Sequence, residues 1–142
     1  MSWIAPFRSA IMAQAPRLQK EGFSWIGEDE IRIRFTDGDI ELMFVGERYE
    51  NWLSVWVRYL GDSAGDARYR LDFVMQIVDA IPPHVFDAKT QDDWMQLIAR
   101  YVDYILLNKS RLFGADCPYA MAYEEFDRRG AEEAMAQWAR KS

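Results

Sequence analysis

Residues 31–44 read IRIRFTDGDIELMF. Asp37-Gly38 separates two runs in which apolar and polar side chains alternate, and Asp-Gly tolerates the positive φ that tight hairpin turns demand. A two-residue loop pairs Ile31 with Phe44, Ile33 with Leu42 and Phe35 with Ile40 on one face. The other face then pairs Arg34 with Glu41 and Arg32 with Met43. One face is wholly apolar and the other mostly polar, the pattern of an antiparallel pair buried on one side only.

Working outward, the strand region begins near Phe23, and a further strand spans residues 52–60. There Leu53, Val55, Val57 and Tyr59 make a core face. Trp52, Ser54, Trp56 and Arg58 alternate with them and join Arg32, Arg34, Glu41 and Met43 on the open side. Upstream, Ile4, Phe7, Ile11, Ala15 and Leu18 recur at helical spacing. This predicts a helix over residues 5–20, with a kink or interruption at Pro16 and a stop at Gly22. Downstream, Leu71, Val74, Val78 and Ile81 share one face of a largely buried helix that Pro82-Pro83 ends. A long helix follows over residues 91–107, opened by a capping box of Thr90 and Asp93, with Trp94, Leu97, Ile98, Tyr101 and Ile105 as its apolar stripe. The last helical region, residues 118–140, is expected to bend or break at Gly130. Strands and helices grouped in blocks predict a single α+β domain over residues 1–142. It has an N-terminal helix, an antiparallel sheet of three to four strands, and three helical segments packed on one sheet face.

The chain has 142 residues, half of them apolar, and six tryptophans, enough for a substantial core. It carries 17 basic and 23 acidic residues, a net charge of −6. Nucleic-acid phosphates call for a concentrated basic surface, so that class of partner is not expected. A single cysteine precludes an intrachain disulfide and fits a reducing compartment. No charged, then apolar, leader opens the sequence, and no apolar run reaches the roughly 20 residues that span a bilayer. A cytoplasmic location without membrane association is therefore expected.

Catalytic signals are sparse. Residues 61–65, GDSAG, match the Gly-x-Ser-x-Gly nucleophile elbow, and Asp72, Asp79 and His84 follow Ser63 in the Ser…Asp…His order of α/β-hydrolases. Such an elbow sits on a parallel strand running straight into a helix. Here the strands read as antiparallel, and DARYR separates the motif from the helix. That helix, about 16 Å long, also lies between Ser63 and His84. Ser63 therefore reads as a loop residue, with a small serine hydrolase as an alternative. One histidine and one cysteine are too few for a Cys/His zinc site. Cys117 has no obvious activating partner. Asp62 with Asp66, and Asp92 with Asp93, lack the spacing of a calcium loop. No phosphate-binding glycine loop is present, so no catalytic residue, metal or cofactor is expected.

The open sheet face carries more information. Trp and Arg are the residue types enriched at interface hot spots, which makes Trp52, Trp56, Arg58, Arg32, Arg34 and Glu41 candidates for contacting a protein partner. The competing expectation is that the N-terminal helix, a terminal strand or a second copy of the chain covers the two tryptophans. The acidic clusters near residues 28–30, 47–50 and 62–66 would suit a basic partner such as a toxin or effector. APRLQKEGF closing the first helix, the Asp-Gly hairpin, ERYENWLSVWVRYL, and the helix from YRLDFVMQIV to IPP together resemble small acidic α+β bacterial immunity proteins. That resemblance implies a non-enzymatic, stoichiometric inhibitor of a cognate toxin. An adaptor or chaperone-like subunit of a secretion or regulatory system is the alternative of the same binding class.

Overall fold

The Asp-Gly hairpin forms the middle of a five-stranded antiparallel sheet, in strand order β1-β2-β3-β4-β5, in a computed structural model that describes residues 2–47, 52–61 and 67–141. The strands are β1 (Ser24–Glu28), β2 (Arg32–Thr36), β3 (Ile40–Glu47), β4 (Trp52–Tyr59) and β5 (Arg68–Arg70). Around them run α1 (Ala5–Met12), α2 (Ala15–Lys20), α3 (Leu71–Asp79), α4 (Gln91–Leu107), α5 (Lys109–Leu112) and α6 (Ala120–Lys141), with one 3-10 turn at Pro83–Phe86. The α+β class is as expected, but the sheet has five strands rather than three to four. The extra strand, β5, is too short to show a run of its own. It pairs Arg70 with Trp56, Tyr69 with Val57 and Arg68 with Arg58.

The central hairpin also differs from its expected register. Ile33 opposes Phe44, Phe35 opposes Leu42 and Thr36 opposes Glu41, so the loop is longer by two residues. Local hydrogen bonds favour the longer loop. The Asp37 carboxylate accepts from the Asp39 and Ile40 amides at 2.9 and 3.0 Å. The Thr36 hydroxyl accepts from Gly38 N–H at 3.0 Å and donates to the Ile40 carbonyl at 2.7 Å. Gly38 has φ +96°, where a side chain is strained. A shift of two residues preserves side-chain parity, so each face keeps its membership. Ile31 is the exception. It precedes β2 and its side chain lies exposed, although its carbonyl still accepts from Gly46 N–H at 2.7 Å.

The inward face of the sheet (Ile33, Phe35, Leu42, Phe44, Leu53, Val55, Val57 and Tyr59) joins the apolar stripes of α1 to α4 in one buried cluster. The N-terminal helix is interrupted at residues 13–14, ahead of Pro16, which lacks the N–H that would continue it. The capping box on α4 is formed: the Thr90 hydroxyl accepts from Asp93 N–H, and the Asp93 carboxylate accepts from Thr90 N–H, both at 3.1 Å. The break expected at Gly130 does not occur, and α6 runs continuously for 22 residues. One glycine fixes where the N-terminus lies. A Cβ on Gly46 would sit 2.4 Å from the Trp3 carbonyl oxygen, so only glycine lets residues 3–4 cross β3 at this point. The crossing is tied down by Trp3 and Ile4 N–H groups donating to the Glu30 carbonyl at 2.8 and 3.1 Å.

Candidate functional site

Five of the six candidate residues, Arg32, Arg34, Glu41, Trp56 and Arg58, lie on the outward face of the sheet. Glu41 and Arg58 are direct neighbours across β3 and β4, and Arg34 lies two residue pairs further along on β2, on the same face. The side chain of Glu41 is only 3% exposed, yet it is charged, because two guanidinium groups close over it. Arg58 donates through Nε at 3.1 Å and Nη2 at 2.7 Å to one carboxylate oxygen, and Arg34 donates at 3.1 Å to the other. Burial pushes the Glu41 carboxyl up. The bonds from Arg58 and Arg34 outweigh it, and the carboxyl titrates below its ordinary value. A carboxylate bridging two arginines fixes both planar groups at the surface.

Trp56 sits beside this bridge, opposite Met43, and it too is held. Its indole N–H donates to the Ser54 hydroxyl at 2.8 Å, and that hydroxyl donates to the Glu47 carboxylate at 2.7 Å. Arg32 is anchored from its own turn. The Asp29 carboxylate accepts from Ile31 N–H, Arg32 N–H and the Arg32 guanidinium at 2.8, 2.9 and 3.2 Å. Those contacts, chiefly the bond from the Ile31 amide, keep the Asp29 carboxyl below its ordinary value.

Trp52 stands apart from the others, which corrects its expected place on the open face. It opens β4 opposite Glu47, at the end of the ladder, and its ring meets Trp94 of α4 edge-on at 5.0 Å. Trp94 in turn meets Phe7 at 5.1 Å. At a strand end the pleat no longer dictates direction, and packing an indole edge-on against the Trp94 ring is worth more than keeping the alternation. Trp52 thus packs against the core through α4, not under the N-terminal helix or a terminal strand, and both Trp52 and Trp56 stay partly exposed.

An open groove of about 320 Å³ lies on this face, with Met43, Val45 and Trp56 as its apolar surface and Ile31, Arg32 and Arg68 along its sides. Arg68 was missed in the sequence because it belongs to the three-residue β5. The alternation in Arg68, Tyr69 and Arg70 was the available signal. Arg70 shares that strand but is committed elsewhere. It pairs with Asp72 at 2.8 Å and lies 4.2 Å over the Phe73 ring.

Of the residues considered for catalysis, Asp72, Asp79 and His84 are described. Ser63 lies outside the described residues, as do Asp62 and Asp66. β4, which leads into that segment, is antiparallel to both β3 and β5, and the next element is a strand rather than a helix. Asp79 accepts from the Tyr104 hydroxyl at 2.6 Å and from Arg111 at 2.9 Å, while His84 is exposed in the 3-10 turn. Cys117 is half-buried among Tyr59, Tyr69 and Tyr119, and burial pushes its thiol up, away from a reactive thiolate. Among the described residues no group of three or more His, Cys, Asp or Glu side chains is placed to hold a metal ion, and no helix is long and apolar enough to cross a membrane. Comparison with protein-family models, curated proteins and solved structures finds no match to the chain.

Proposed function

We propose that this chain is a non-enzymatic protein-binding module, and most concretely an immunity-type protein that neutralises a cognate toxin by docking through the outward sheet face. The observation that carries this is the preorganised cluster of Arg34, Arg58 and Trp56. Each is held by a buried or hydrogen-bonded neighbour and still presents surface to solvent. Rigid aromatic and guanidinium groups lose little conformational entropy on binding, which is why they dominate interface energetics. Trp52 supports the face from behind rather than contacting the partner. Arg32 and the Glu41 bridge hold the flanking geometry.

The test is co-expression with the product of the neighbouring gene, scored by growth and by co-purification. The chain is expected to bind that product and restore growth. Trp56→Ala and Arg34→Ala are expected to reduce protection while the chain stays folded by circular dichroism. Failure of the unaltered chain to bind or protect counts against an immunity role. Binding without any effect on growth favours an adaptor subunit instead. Labelling by a fluorophosphonate probe that disappears in Ser63→Ala would point to hydrolase chemistry.

A further inference from the structure

The groove beside the arginine bridge adds a partner chemistry to the protein-binding proposal above, and it rests on that proposal. We infer that it is the anchor pocket for an acidic linear segment of the partner. One apolar side chain of that segment seats over Met43, Val45 and Trp56, and carboxylates on either side of it pair with Arg68 and Arg32.

Charge is the first ground. Arg68 and Arg58 lie directly opposite each other across β4 and β5, a like-charge pairing that is unfavourable without a counter-ion. Arg58 has Glu41, which it shares with Arg34. Among the described residues Arg68 has no carboxylate within ion-pair range, and it borders the groove exposed. A carboxylate from outside completes this arrangement, so the groove suits an acidic segment although the chain as a whole has net charge −6. Among the described residues of the acidic rim expected to meet a basic partner, only Glu47 borders this pocket, and its carboxylate already accepts the Ser54 hydroxyl.

Shape is the second ground. A volume of about 320 Å³ stands at the small end of ligand-sized cavities, roughly 300–1,000 Å³. It fits one bulky side chain with its flanks rather than a folded surface. Arg32 is on β2 and Arg68 on β5, three strand spacings or about 14 Å apart in the direction of the sheet hydrogen bonds. The segment therefore lies across the strands and does not add to a sheet edge. A nucleic acid is the competing polyanion. The overall acidity, a net charge of −6, opposes a long continuous phosphate backbone.

A random linear heptapeptide phage library panned on the full chain, with depletion on Arg68→Glu, tests this. Enriched peptides are expected to carry an aromatic or large aliphatic residue flanked by Asp or Glu. They should shift the Trp56 indole N–H resonance, and bind Arg68→Glu about tenfold more weakly, equal to one carboxylate pair of about 1.4 kcal/mol. Arg68→Lys should recover most of the affinity. Val45→Phe, which fills the groove without changing its charges, should abolish binding while the melting curve is kept. No enrichment, enrichment of peptides without acids, or binding indifferent to Arg68→Glu and Val45→Phe overturns the pocket. Competition by a 20-nucleotide single strand at equal concentration overturns it in favour of nucleic acid. If protection by the chain persists in Val45→Phe while the peptides fail, the pocket falls but the protein-binding face stands. If the unaltered chain neither binds nor protects against any partner, the broader proposal falls with it.

Discussion

Replacing Glu41 with glutamine removes the negative charge on which Arg34 and Arg58 converge while keeping the side chain's shape. The carboxylate accepts three hydrogen bonds from the two guanidinium groups, and its side chain is 3% exposed. Breaking a fully buried pair costs about 3–5 kcal/mol. Here the arginines are 37% and 28% exposed and regain water when released, which lowers the cost. The amide oxygen of glutamine still accepts from one guanidinium, but its NH₂ faces the other. A loss of about 2 kcal/mol follows, with charge-assisted bonds worth roughly 1.5–3 kcal/mol each before that discount. For a chain of this length it lowers Tm by about 6–8 °C. The pH dependence has a definite sign. The folded carboxyl titrates below its ordinary value, so its contribution is complete above an unfolded value of about 4.3 and is lost as pH falls through the folded one. Urea unfolding of both proteins from about pH 8 down to about pH 3.5 should show a constant gap near neutrality that closes on the acid side. A gap below about 0.5 kcal/mol at neutral pH, or one that persists unchanged at the acid end, would refute the bridge as a source of stability.

Gly46→Ala should be among the costlier single-methyl changes in the chain. The new Cβ meets Trp3 and Ile4 backbone atoms at 2.4 to 2.9 Å, so a loss of about 3 kcal/mol is expected by urea titration, at the upper end of overpacking costs. Tyr59→Phe removes a buried hydroxyl that donates to the Leu112 carbonyl at 2.6 Å and lies 2.7 Å from the Tyr119 hydroxyl, and should cost about 1–3 kcal/mol. Its companion Tyr119→Phe, measured with it in a double-mutant cycle, should show coupling. Thr90→Ala opens the capping box of α4 and should cost about 1 kcal/mol, with helix content unchanged by circular dichroism under native conditions.

Much of this architecture is local chemistry. The Asp-Gly hairpin, the capped helix after Thr90 and the alternation in β4 follow from propensity and period, which act over a few residues. They suffice to name an α+β protein with one apolar and one polar sheet face. Parity explains why even the wrong hairpin register left Arg34, Glu41 and Arg58 on the same side. What local pattern does not contain is how far a loop extends when Asp37 and Thr36 satisfy its amides, or which side an indole takes where a strand ends. Trp52 turned to Trp94 because a helix some forty residues later stands there. β5 exists because β4 offers it an edge, and three residues carry too little signal of their own. The groove gains Arg68 from β5. The sequence alone determined which residues face outward, since side-chain alternation is a property of the extended chain. Tertiary structure decided which of them lie together around Met43 and Val45, because that depends on pairing energies between segments far apart in the chain.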